Sequence, residues 1–367
     1  MRVAYDHQVT SLQDAGGLSR YFFELAQALL HVGEVNPDFI LGLEQSVVSF
    51  RSLRPPARVL AIRSGMKPGY QRYALNEALT AVLAPLRGRY DVYHATYQRI
   101  LPYVRRRAVV VTHHDSTPER YPHLFPDAMQ IHGRLEKLYA SADRIICISE
   151  SSRQDLLHYH RVDPAKTDVI HHGFTRLGSA AAETAPDYFG GRPFLLYVGA
   201  RSAYKNFPIV LKALAQQVES LCLLVMGGGA FSGEETQRVE NLGLAGRVKL
   251  CTRPTDAQLA AAYRSATLFI YPSLYEGFGF PPLEAMDAGC PALVSRASAL
   301  PEVCGEAAFY FDPESLEELS QLIRTLLEDT DLRSSKQQAG VTQVSRYSWD
   351  KAAMATLRAY RKAVQEA

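Results

Sequence analysis

Two carboxylates, Glu276 and Glu284, bracket a glycine-bearing stretch that reads YPSLYEGFGFPPLEAM over residues 271–286. Eight positions separate them, so they are not a pair on one helical face. The apolar run Thr267 to Tyr271 suits a buried parallel strand. Pro272, Gly277 and Gly279 interrupt it, and Pro281 and Pro282 fit a first helical turn, where no intrahelical N–H bond is required. The helix is expected from about Leu283 to Ala288, stopping at Gly289. One carboxylate then sits at the mouth of a loop and the other about a turn into the helix. Backbone N–H groups between them are placed to bind an anion. A carboxylate, a set of N–H donors along Gly277, Phe278, Gly279 and Phe280, and a second carboxylate suit a nucleotide sugar, with hydroxyls at each end and phosphate between. An ordinary turn with two solvated glutamates would use the same residues.

Other chemistry-bearing residues fall after apolar runs. The run Phe194 to Gly199 leads into Arg201 and Lys205, two fixed cations that could clamp a diphosphate or merely line a basic loop. The run Ala108 to Asp115 delivers His113, His114 and Asp115 to a strand's carboxyl end, where open α/β sheets gather their ligands. Adjacent strand side chains point to opposite faces, so one histidine is expected to face the ligand, and Asp115 could orient its ring. Gly16 and Gly17 lie between a first strand, Arg2 to Asp6, and a helix from Ser19 to Leu30 with Phe22, Leu25, Ala26 and Leu29 on one face. That is the phosphate approach of a nucleotide-binding βα unit, although a turn requirement also explains two glycines. His94 reads as a polar strand end, and Arg105 to Arg107 as a solvated turn.

The elements that must position these residues alternate. In the first half, strands are expected at 2–6, 39–43, 59–62, 91–96, 108–115, 143–149 and 168–173. Residues 175–193 are small and Gly/Pro-bearing, the character of a linker. A second series follows, with strands at 194–199, 221–226, 247–251, 267–271, 292–295 and 308–311 and helices between. Strand–helix alternation predicts parallel doubly wound sheets. The tail is helical, and Asp350 to Val364 has one apolar side.

A chain of 367 residues is long enough for two cores. Its net charge of +2 names no partner. Residues 1–176 carry 22 Lys and Arg against 17 Asp and Glu, a net +5, weakly favourable to an acidic acceptor or membrane surface. The five cysteines are scattered without a Cys-x-x-Cys, which fits reduced thiols in the cytoplasm. The residues after Met1 run straight into a strand, so no signal peptide is expected, and no apolar run is long enough to span a bilayer.

The segment EGFGFPPLEAM at residues 276–286 resembles the E-x7-E signature of the retaining family 4 glycosyltransferases. The resemblance implies the GT-B fold, an α/β architecture of two Rossmann-like doubly wound parallel-sheet domains facing a cleft. The first domain would span residues 1–175 and take the acceptor. The second would span 190–348 and take the donor, while a C-terminal helix at about 350–367 packs back on the first. By the same resemblance Glu276 contacts the donor sugar, Glu284 holds the ribose, and Arg201 and Lys205 bind the phosphates. The loop at Gly16 and Gly17 faces the diphosphate, and Arg253 stands where the family packs the base. His114, with His113 as the alternative, lies beside the donor sugar, and Ser149 and Pro301-Glu302 stand at family positions around the pocket. The implied reaction moves a sugar, with retention, from a nucleoside-diphosphate sugar to a hydroxyl of a glycan or lipid-linked saccharide. GDP-mannose is the first expectation for the donor and UDP-glucose or a related UDP-sugar the second. No cofactor is expected, and no Asp-x-Asp is expected to hold a metal at the diphosphate, the fixed cations replacing it. The expected location is cytoplasmic, with peripheral membrane contact if the acceptor is lipid-linked and no nucleic-acid partner. A GT-B sugar-nucleotide epimerase and a non-catalytic nucleotide-sugar-binding protein are the competing readings.

Overall fold

The computed structural model describes residues 1–12, 16–44, 50–55, 57–176 and 186–367. The chain divides into two compact units, one of residues Met1–Gly173 with Tyr347–Ala367 and the other of Phe174–Arg346. Residues 177–185 of the expected linker lie outside the described residues.

The first unit runs β1 (Arg2–Tyr5), α1 (Gln8–Leu12), α2 (Gly17–Val32), β2 (Asn36–Glu44), β3 (Arg58–Arg63), α3 (Tyr70–Leu83), β4 (Tyr90–Ala95), β5 (Arg106–His113), α4 (Thr117–Arg120), α5 (Ala128–Ala140), β6 (Arg144–Cys147), α6 (Glu150–Tyr159) and β7 (Thr167–Val169). Its parallel sheet has the order β3-β2-β1-β4-β5-β6-β7. Both faces are covered, as parallel sheets require. In β5, Ala108 and Val110 join the core under α2, while Val109 and Val111 join the core on the opposite face. Phe22, Leu25, Ala26 and Leu29 of α2 are buried, and the helix stops at Gly33, whose φ of 79° lets its N–H reach the carbonyls of Leu29 and Leu30.

The second unit runs β8 (Phe194–Val198), α7 (Phe207–Ala215), β9 (Cys222–Met226), α8 (Gly233–Asn241), β10 (Val248–Cys251), α9 (Asp256–Ser265), β11 (Leu268–Tyr271), α10 (Phe280–Asp287), β12 (Ala292–Ser295), α11 (Leu300–Cys304), β13 (Phe309–Phe311), α12 (Leu316–Glu328) and α13 (Thr330–Val344). Its six parallel strands have the order β10-β9-β8-β11-β12-β13. The order reverses between β8 and β11, so the loops after those two strands share one carboxyl edge, the place where doubly wound sheets bind ligands.

The last helix, α14 (Trp349–Glu366), belongs to the first unit. Ala353, Leu357, Tyr360 and Ala363 are buried in the same core as Phe22 and Leu25. The Tyr360 hydroxyl lies 2.8 Å from that of Tyr5 and 2.7 Å from Nδ1 of His94. Nε2 of His94 lies 2.8 Å from Thr112 Oγ1, so both ring nitrogens are used inside the core. Burial holds the ring neutral, with its pKa lowered to about 3. His94 is therefore a structural residue.

Several element boundaries differ from the sequence reading, and two of the differences have a plain local cause. Residues 8–12, read as loop, form a helix because the Asp6 carboxylate accepts the Gln8 N–H at 2.9 Å and turns the chain. The helix α10 begins at Phe280 rather than Leu283, with both prolines inside its first turn.

Candidate active site

Lys205 and Glu276 meet at the carboxyl edge of the second unit's sheet. Lys205 closes a single 3₁₀ turn after β8, and Glu276 lies in the loop after β11. The Lys205 ammonium donates to Glu276 Oε1 at 2.6 Å and to the Tyr271 hydroxyl at 3.4 Å. Both side chains are largely shielded, at 16% and 12% exposure, so the pair is stronger than a surface ion pair. Burial and the Glu276 charge push the Tyr271 phenol well above its ordinary value, so it stays protonated. The backbone of Glu276 is fixed as well, its N–H donating to Ser298 Oγ at 2.8 Å.

Arg201 occupies a different environment. Its Nε donates to Glu235 Oε1 at 2.7 Å. Its terminal nitrogens donate to the carbonyls of Gly227, Gly229 and Ala230 at 3.0, 3.1 and 2.9 Å. The guanidinium thus braces the glycine loop after β9 from within, and only 4% of its side chain is exposed. Burial opposes ionisation of Glu235, yet the Arg201 guanidinium and the Ser232 N–H hold its carboxyl below the usual range. Sequence reasoning missed Glu235, although Ser232-x-x-Glu235 is a capping-box pattern, and the structure forms that box at the start of α8.

The loop between Glu276 and Glu284 is shaped by Gly279. Its φ is 102°, and a Cβ there would lie 2.7 Å from Leu300 Cδ2. Only glycine fits. Pro281 and Pro282 carry no N–H, so two of the helix's first positions offer no donor. The backbone N–H groups between Glu276 and the two prolines are those of Gly277 to Phe280. Glu284 is held inside the helix by the Tyr263 hydroxyl, which donates to its Oε2 at 2.9 Å. Arg253 is exposed in the loop after β10. Pro301 and Glu302 lie in α11.

In the first unit the two histidines where β5 ends, its last residue His113 and the next residue His114, divide as strand geometry requires. His113 faces α5, with Nδ1 2.8 Å from the Tyr139 hydroxyl and Nε2 3.3 Å from Ser116 Oγ. His114 turns the other way, edge-on to Tyr21 of α2 at 5.1 Å and stacked near His172 at 5.9 Å. Its Nε2 is buried and has no hydrogen-bond partner among the described residues. Burial lowers the pKa of both rings to about 4. Asp115 accepts from the Thr117 N–H at 2.9 Å, capping the turn into α4. Ser149 and Ser152 form the capping box of α6. Gly16 and Gly17 stand exposed at the start of α2, and a Cβ at Gly17 would meet nothing within 4 Å. The fold does not demand glycine at that position, whereas close approach of a ligand to the backbone would.

One Asp-x-Asp does occur, Asp329-Thr330-Asp331. It lies at a helix junction, where Asp329 caps α13 by accepting the Leu332 N–H at 2.8 Å. A helix cap already explains that aspartate.

Comparison with known proteins matches residues 15–175 to the model of Glycosyltransferase Family 4 and residues 184–342 to that of Glycosyl transferases group 1. The chain is a group 1 and family 4 glycosyltransferase. The O-antigen chain mannosyltransferase B of Escherichia coli is 29% identical over 276 residues, covering 71% of this chain and 72% of that one. The sucrose-phosphate synthase of Thermosynechococcus elongatus has the same fold, with a TM-score of 0.79 at 21% identity over 98% of both chains. Anabaena Alr3699/HepE, solved in complex with UDP-glucose, superposes with a TM-score of 0.72 at 20% identity, covering 98% of this chain and 99% of that one. The glycosyltransferase therefore has the GT-B fold, with two parallel-sheet Rossmann-like units. Among the described residues no helix is long and apolar enough to cross a membrane.

Proposed function

We propose that this glycosyltransferase transfers a hexose, with retention and without a metal at the diphosphate, from a nucleoside-diphosphate sugar to a hydroxyl of a glycan or lipid-linked saccharide in surface-polysaccharide synthesis. The observation that carries the reading is the shielded Lys205–Glu276 pair on the sheet edge where ligands gather. An ammonium there is a fixed cation for the phosphate, and a carboxylate beside it can accept sugar hydroxyls. The relative named for O-antigen mannosyl transfer favours GDP-mannose as donor. The fold neighbour holding UDP-glucose keeps a UDP-sugar as the second choice.

The charge-generating event is departure of the nucleoside diphosphate. Lys205 stabilises that charge as it develops, helped by the N–H groups of Gly277, Phe278, Gly279 and Phe280. In this reading Arg201 sets the Gly227–Ala230 loop and contributes its charge from behind it. Glu276 holds the donor sugar, Glu284 the ribose, and Arg253 packs near the base. His114 contacts the transferred sugar as a neutral ring, its orphaned Nε2 giving or accepting one hydrogen bond, and Gly16 and Gly17 approach the diphosphate. No side chain is assigned as a covalent nucleophile.

Thermal shift with GDP, UDP, ADP and dTDP, with and without Mg²⁺, tests the donor side. A nucleotide at about 100 times its Kd adds about 2.7 kcal/mol of stability. A shift with GDP that Mg²⁺ leaves unchanged is expected. A shift that requires Mg²⁺ would overturn the metal-free reading, and a shift with UDP alone would replace the donor base.

A further inference from the structure

We propose that Glu119, His132 and His160 form a binding site for a divalent transition metal, with zinc as the fitting ion, in the first unit. The three residues come from α4, from α5 and from the residue that ends α6. One ligand atom from each lies within 4.8 Å of the others. Nε2 of His160 is 3.2 Å from Glu119 Oε1, and Nδ1 of His132 is 3.9 Å from the same oxygen. Tetrahedral zinc with ligands at about 2.0–2.2 Å needs ligand atoms about 3.3–3.6 Å apart. One edge is already near that length, the second is 3.9 Å and the third, between the two histidines, lies within 4.8 Å, so the set closes with a shift of about 1 Å by His132, the most exposed of the three. Two imidazoles and one carboxylate are a zinc donor set, leaving a fourth position for water.

The cluster has features that an ordinary ion pair does not explain. Glu119 and His160 are almost fully buried, with side-chain exposures of 3% and 1%. Glu119 Oε2 nevertheless has no hydrogen-bond partner among the described residues and could join Oε1 on an ion, while His160 Nδ1, also without one, faces Glu136. Burying such atoms unpaired is costly. The rings of His132 and His160 stack at 4.6 Å with a 17° interplanar angle, so His132 must turn out of the stack for the two lone pairs to converge on one ion. Glu136, one turn after His132, lies 3.9 Å from His132 Nε2 and 3.8 Å from His160 Nδ1, the nitrogens facing away from Glu119. A carboxylate behind the ligating histidines is the arrangement that fixes their tautomers around a metal. Entry is open, because His132, Glu136, His160 and Arg161 line a surface groove.

The site would tie together three helices around the turn that follows His114. His160 packs edge-on to Tyr139 at 5.0 Å, and the Tyr139 hydroxyl bonds His113. The ion would brace the carboxyl end of β5 and is separate from the metal-free donor chemistry proposed for the second unit.

The test uses the full chain, stripped with chelator and titrated with zinc by calorimetry, then with Co²⁺ for its absorption spectrum. About one zinc per chain, a raised Tm and a tetrahedral Co²⁺ spectrum are expected. Glu136→Gln should weaken binding about 10–100-fold, and His132→Ala by more than that. His132 is 41% exposed, so its replacement leaves the fold intact. Circular dichroism of the metal-free variant verifies this. No zinc binding by the wild type would overturn the proposal, as would equal binding by His132→Ala.

Discussion

At the residue scale, the two cations after β8 are not equivalent, and their variants should fail in different ways. Lys205 has one short ionic contact and little structural duty. Lys205→Ala is expected to lower kcat about 10²–10³-fold, the usual cost of losing one donor to developing charge, and to lower Tm less than loss of Arg201 does, because it breaks one ionic contact rather than four contacts. Wild-type turnover in Lys205→Ala would remove it from the site. Arg201 instead satisfies three backbone carbonyls and the Glu235 carboxylate. Arg201→Ala leaves all four without their partner and should cost about 3–5 kcal/mol in stability, read by urea unfolding, along with activity. Arg201→Lys should recover little of this, because an ammonium cannot reproduce the planar fork. A fully stable but inactive Arg201→Ala would mean that the guanidinium acts on the ligand rather than on the loop.

At the element scale, the loop into α10 depends on a single backbone conformation. Gly279→Ala places a methyl against Leu300 in a backbone region that costs a side chain about 1–2 kcal/mol before any clash. The expected result is a lower Tm and a donor KM that rises more than kcat falls, because the loop is displaced while the chemistry is kept. Gly17→Ala meets open space, so it should leave Tm unchanged and raise the donor KM only if ligand approaches there. These elements were legible in the sequence to different depths. The strands of both sheets could be read because apolar runs of strand length sat between glycine and proline punctuation. The two prolines marked the first turn of α10 correctly, but its start at Phe280 rather than about Leu283 was not legible, because Phe280 follows Gly279 without a capping side chain to signal it. The pairing of Lys205 with Glu276 could be read only as two residues on one sheet edge, since their contact spans 71 positions. The capture of Arg201 by Glu235 was hidden for the same reason. So was the meeting of Glu119, His132 and His160, which come from three separate helices.

At the scale of the whole molecule, the first unit is completed by the last segment of the chain. Tyr360 joins Tyr5 and His94, and with Ala353, Leu357 and Ala363 of α14 it completes a core otherwise built from residues before Gly173. Gly173 itself has no room for a side chain, a Cβ there lying 2.4 Å from Trp349 Cγ. A chain ending at Arg346 should therefore keep hydrogen-exchange protection in the strands of residues 194–311 and lose it in those of residues 2–169. The same unit should also be acid-sensitive. Burial lowers the pKa of His94 to about 3 and those of His113 and His114 to about 4, against about 6.5 for an unfolded histidine. Between those limits the unfolded chain takes up protons that the folded unit refuses. The stability is thus fully present above pH 6.5 and declines as the pH falls toward the folded values. At pH 5 each such ring costs on the order of 2 kcal/mol. A melt of the protein at pH 7.5 and at pH 5.0 should show the transition assigned to the first unit falling by several degrees, with tryptophan fluorescence of Trp349 as its reporter. An unchanged transition would mean that these rings gain partners on protonation and are not held neutral by the core.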